Sequence, residues 1–156
     1  MYLTKKLAYL HYQNQGGEKM TIIEAYIIVF SYLDDYYEKT KLDAIGSLLG
    51  DMFLLSEDSF KKNPNTWGDW MNEAVKYIKK GIPLKQSGIS EGRYRTADPA
   101  TWEDWMDVAE KYIKNDTIDK EDVLQITIDF LVFYKEEFGF EVDDAIEYFK
   151  KIKANK

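Results

Sequence analysis

The chain has 156 residues, 45% hydrophobic and 31% charged, which suits one soluble domain with a sizeable core. No run approaches the roughly 18 apolar residues of a membrane span, and the absence of cysteine excludes disulfides and thiolate metal sites and fits a reducing cytoplasm. The net charge of −7 argues against a nucleic-acid ligand, because phosphate binding needs clustered lysine and arginine.

Residues 1–19 read as a loosely attached extension that ends in the linker-like "NQGGEK" and holds His11, the only histidine. Its first 17 residues have two lysines but neither the apolar run nor the cleavage site of a secretory signal. Residues 20–156 read as a single helical domain. Thr21 and Glu24 have capping-box spacing, which predicts a helix over 22–39 with Ile23, Ile27, Phe30, Leu33 and Tyr37 on one face. A second helix is expected over 42–55 through Ile45, Leu48, Leu49 and Met52, interrupted in propensity by Gly46 and Gly50.

Two similar phrases follow, at 63–80 and 98–115, identical at 11 of 18 positions. Each opens on an N-cap residue and a proline, Asn63-Pro64 and Asp98-Pro99, so each should start a helix. Trp67, Trp70, Met71, Ala74 and Ile78 match Trp102, Trp105, Met106, Ala109 and Ile113, a spacing that traces one helix face. Identity kept along one face points to shared packing; an aromatic ligand cage is the competing reading. The opposite face differs: Glu103, Asp107 and Glu110 stand where the first copy has Gly68, Asn72 and Val75. Asp69 and Asp104 are matched and suit the positive ends of their helices.

Residues 81–97 read as a Gly- and Ser-rich loop. "DKEDV" predicts a helix start with Asp119 as N-cap. The run "LQITIDFLVFY" is apolar at 124, 126, 128, 130, 132 and 134, a strand-like period of two, yet Leu124, Ile128, Leu131 and Phe138 also share a helix face. Its acidic entrance and its likeness to 22–39 at an offset of 101 favour a helix. A last helix is expected over 142–153, with lysines at its negative end. The fold class is therefore all-α: a compact bundle of about five to six helices with a duplicated Trp-rich helix.

Little in the chain suggests chemistry. One histidine supports neither a catalytic triad nor a histidine metal cluster. The glycines of "AIGSLLGDM" lack the lysine and spacing of a P-loop, and "NDTIDKEDV" lacks the glycine and terminal glutamate of a calcium loop. The carboxylate pairs Asp34/Asp35 and Asp143/Asp144 suit solvated helix ends better than acid–base work. No enzyme activity, cofactor or metal is expected.

Charge is unevenly distributed. Residues 1–97 carry 12 acids and 13 bases, residues 98–147 carry 16 acids and 4 bases, and the tail from 148 carries four lysines. Such a field attracts a basic partner and speeds encounter; plain solubility is the alternative.

The segments "YYEKTKLDAIGSLLGDMFLL" (36–55) and "TADPATWEDWMDVAEKYI" (96–113) resemble a family of small acidic bacterial proteins, the immunity proteins of contact-dependent and polymorphic toxin systems. The likeness covers about residues 20–114; the doubled tryptophan phrase with a basic loop between its copies is a departure from the family pattern. The resemblance implies a cytoplasmic protein that binds and neutralises a cognate, basic toxin domain, with no catalytic residues. Together with the charge layout it nominates Glu103, Asp104, Asp107, Glu136, Asp143 and Asp144 as partner-binding. The alternative is a helical protein-interaction adaptor or self-associating scaffold, and the oligomeric state stays open.

Overall fold

The computed structural model describes residues 19–56 and 94–155. The expected extension up to residue 18, the first tryptophan phrase and most of the basic loop lie outside the described residues, so the comparison of the two phrases rests on sequence alone.

The described chain runs β1 (Lys19–Thr21), α1 (Ile22–Thr40), α2 (Asp43–Met52), β2 (Leu54–Ser56), β3 (Tyr94–Thr96), α3 (Pro99–Ala109), a 3-10 turn (Glu110–Tyr112), β4 (Ile113–Lys114), β5 (Thr117–Asp119), a second 3-10 turn (Lys120–Asp122), α4 (Val123–Phe138) and α5 (Asp143–Ala154). The architecture is broadly all-α and compact. Helix α4 lies at its centre and packs against α1, α3 and α5, while α2 packs on α1. Two small antiparallel sheets are added: β1-β5-β4, with Met20 opposite Ile118, and the pair β2-β3.

Local chemistry sets the helix ends. The Glu24 N–H donates to Thr21 Oγ1 at 3.2 Å, and the Thr21 N–H donates to Glu24 Oε1 at 2.9 Å, the reciprocal capping box. Helix α1 stops at Lys41, whose φ of 55° turns the chain left-handed while its N–H donates to the Tyr37 carbonyl. Asp98 caps α3 through the Ala100 N–H at 3.0 Å, with Pro99 at the first helical position, as the sequence predicts. Helix α4 ends at Gly139 (φ 70°), and the Phe140 N–H reaches back to the Tyr134 carbonyl at 3.3 Å.

Several boundaries differ from expectation. The helix expected over 42–55 ends at Met52, and Leu54–Ser56 pairs as a strand with Tyr94–Thr96, residues that read as loop. Gly46 and Gly50 do not break α2. The helix face traced as far as Ile113 is cut short, because α3 ends at Ala109. Beyond the 3-10 turn, Ile113 pairs with Ile118 in a ladder, so its backbone groups serve β4 and not a helix. Asn115 and Asp116, both at positive φ, make the two-residue turn that closes this hairpin. Asp119 does not cap a helix with its side chain; it ends β5, and α4 begins only at Val123.

The ambiguous run is a helix. Its strand-like alternation has a physical cause. A helix covered by three neighbours buries a wide face, so Leu124, Ile126, Ile128 and Phe130 are all buried, together with Val123, Thr127, Leu131 and Tyr134. The core also takes Tyr26, Ile27, Val29 and Leu33 from α1, Ile45, Leu48 and Met52 from α2, and Trp105 from α3. Within α1 the buried face is shifted from the expected stripe: Phe30 and Tyr37 lie at its half-buried edge.

Candidate partner-binding surface

Helix α3 presents two faces. Thr101, Trp105 and Ala109 are buried, and the Trp105 ring meets Tyr26 and Phe130 edge-on, with centroids 5.2 and 6.0 Å away. Trp102, half-buried, packs on Tyr26 at 5.2 Å. In this copy the tryptophans are thus packing residues. At roughly 100° per residue, Glu103, Asp107 and Glu110 fall within about 60° of one another on the far side, and all three are exposed.

Asp104 is different. It is half-buried on the flank facing α4, where the Tyr134 hydroxyl donates to its Oδ2 at 2.9 Å. Burial, together with this bond to a carboxylate, raises the Tyr134 hydroxyl well above the ordinary tyrosine range, and the carboxylate of Asp51 adds to the effect. The next residue along α4, Lys135, binds Asp143 at 2.6 Å, which raises the lysine's pKa. Consecutive residues of α4 therefore tie Asp104 of α3 and the first turn of α5 to the same helix end. Glu136 follows on the outer face of α4 and is exposed, as are Glu137 and Glu141 beyond it. Asp144 is exposed and leans toward α1, close enough to help burial raise the Tyr36 hydroxyl, an effect the Thr40 hydroxyl partly opposes.

Of the six nominated acids, Glu103 and Asp107 share one exposed face. Asp104, Glu136, Asp143 and Asp144 gather around the α4–α5 turn, with Asp104 and Asp143 already engaged within the chain. Among the described residues Glu103, Asp107, Glu136 and Asp144 hold no ion pair. The nearby bases are largely taken up: Lys111 binds Asp129 at 3.4 Å, Lys150 binds Glu147, and Lys153 bonds Gln125. Asp129 in turn accepts from Tyr112 and Gln125, which locks the end of α3 onto α4.

Two features of this region are not evident from the sequence. Phe138 is 57% exposed, the large apolar residue that stands out of the core among those described, and its ring packs with Phe133, Tyr134 and Phe140. Its place on a helical face suggests burial, but it is the last residue of α4 and stands at the helix end. Second, Asp51 and Asp98 are brought together where the Asp98 N–H donates to the Asp51 carbonyl at 3.1 Å. Burial and then the Asp98 charge raise the Asp51 carboxyl above its ordinary value. Two three-residue strands, far apart in sequence, make that contact, and strands so short leave no readable pattern.

Among the described residues no group of histidines and carboxylates is arranged to hold a metal ion, and no helix is long and apolar enough to cross a membrane. Comparison of the chain with family models, with curated proteins and with solved structures gives no match.

Proposed function

We propose that this chain is an immunity-type protein that binds a basic toxin domain through the acidic surface of α3 and the α4–α5 turn and so keeps the toxin inactive. One observation supports this reading above the rest. Exposed Glu103, Asp107, Glu136 and Asp144 hold no ion pair within the described chain, while Lys111, Lys135 and Lys150 are paired internally. The surface therefore presents uncompensated negative charge on rigid helices, the arrangement that steers and orients a cationic partner. The resemblance of residues 36–55 and 96–113 to immunity proteins supplies the class of partner. The role is stoichiometric, uses no cofactor and needs no catalytic residue; a cytoplasmic location would place the protein where such a toxin acts.

The test is expression beside any toxin domains encoded by adjacent genes. Restored growth and a co-purifying complex are expected with one of them. Growth arrest with every such domain, and no complex, would overturn the proposal. Exposed Phe138 favours a second reading, a helical adaptor or self-associating scaffold. Mass that rises with concentration when the protein is alone, and stops rising in Phe138→Ser, would support that reading.

A further inference from the structure

Helices α1 and α2 enclose an open groove of about 810 Å³ that includes none of the six acids discussed above. Its apolar wall holds Phe30 and Phe53, packed edge to face with centroids 6.2 Å apart, and the ring of Tyr37. Asp34, Glu38 and Asp43 line it as well, and no described base does. Two glycines shape it. Tyr37 lies so close over α2 that a Cβ at Gly46 would stand 2.7 Å from its Cε1. One turn on, no described atom comes within 4 Å of a Cβ built at Gly50. A glycine inside a helix costs about 1 kcal/mol against alanine, so propensity does not account for either.

Aromatic faces beside carboxylates form a site for a cation, because the ring quadrupole and the carboxylate charge attract it together. The chain already shows this chemistry at the edge of the groove. Lys41 Nζ stands 5.0 Å from the Tyr37 ring centroid and 3.3 Å from Glu38 Oε2.

We propose that the α1–α2 groove receives an arginine side chain from a protein partner, with the guanidinium between the aromatic wall and the Glu38 and Asp43 carboxylates. Arginine fits better than lysine, because its planar, weakly hydrated head stacks on rings and still donates to carboxylates at its edge. Lys41 then acts as an internal competitor for Tyr37 and Glu38. The inference rests on the reading of this chain as a protein-binding domain.

The test is an NMR titration of the full chain with N-acetylarginine amide, using N-acetylcitrulline amide as the uncharged control of the same shape. Saturable shifts are expected at the amides of Gly46, Ser47 and Gly50 with arginine and not with citrulline. Gly50→Leu fills the groove and favours the helix, so it should keep the fold and weaken binding roughly tenfold, the loss of one good cation–ring contact. Glu38→Gln should also weaken binding, and Lys41→Met should tighten it about threefold. Equal shifts with citrulline, unchanged binding in Gly50→Leu, or no shift at these amides would overturn the proposal. So would shifts at the same amides on raising protein concentration alone, which would make a second copy the occupant. No toxin is used, so growth rescue can fail while arginine binds, and arginine binding can fail while rescue holds.

Discussion

At the scale of single residues, the indole N–H of Trp105 is the one buried side-chain donor among the described residues that has no hydrogen-bond partner. The ring fills the centre of the core against Tyr26 and Phe130, so its removal is costly; Trp105→Ala should destabilise by about 3–5 kcal/mol. An unpaired buried donor carries its own penalty of about 1–3 kcal/mol. Trp105→Phe keeps much of the ring and deletes that donor, so it should cost only about 1–2 kcal/mol in urea unfolding. Equal losses in the two variants would mean that the N–H is satisfied after all.

Asp51 makes a pH-dependent contribution at the same scale. It holds its proton more tightly folded than unfolded. Between its ordinary value of 3.8 and the raised folded value, the folded state binds more protons, so stability falls as pH rises through that window. Asp51→Asn should therefore raise the unfolding midpoint at pH 7 and lose this advantage once the pH falls below the ordinary aspartate value. An advantage that is the same at both pH values would assign the effect to something other than ionisation.

At the scale of elements, the turn at Asn115-Asp116 places two non-glycine residues at φ 53° and 62°. Asparagine and aspartate tolerate this region better than most residues, and glycine better still. Asp116→Gly should stabilise the protein by about 0.5–1 kcal/mol, read as a shift in denaturation midpoint. A loss of stability would show that the Asp116 side chain does something beyond turning the chain.

Much of this level was legible in the residues themselves. Caps on Thr21 and Asp98, the extent of α1 and α5, and the burial of Trp105 and Ala109 follow from local spacing that local backbone chemistry obeys, although Trp102 and Met106 of the expected face are only half-buried. What escaped depends on distant partners. Strands of two or three residues exist only because another strand lies beside them, so Ile113 reads as helix until Ile118 is placed opposite it. The wide buried face of α4 looked partly like a strand because three neighbours cover it. The same limit holds for the candidate surface: exposure of Glu103 and Asp107 could be read from the helix face, whereas the Tyr134 bond that occupies Asp104 and the Lys135 pair that occupies Asp143 could not.

At the scale of the whole molecule, charge separation should govern association. Reversing Glu103 and Asp107 to lysine changes the net charge of one exposed face by four units without touching a buried group. Association with the proposed toxin partner should slow about tenfold or more at low salt, and its salt dependence should flatten, because steering acts on the on-rate and is screened within roughly 10 Å at 0.1 M salt. Stopped-flow mixing at two salt concentrations checks this. A dissociation rate that changes while the association rate does not would move the interface elsewhere.

The outer face of α3 also works as a ruler. Glu103, Asp107 and Glu110 succeed one another by four residues and then three, which is about 6 Å and then about 5 Å along the axis. Lysines on a partner helix at the same four-then-three rhythm stay in phase with all three carboxylates. Lysines on a strand recur about every 6.8 Å on one face, and the third falls about 3 Å out of step, so the tick marks on this helix distinguish a helical stripe of cations from an extended one.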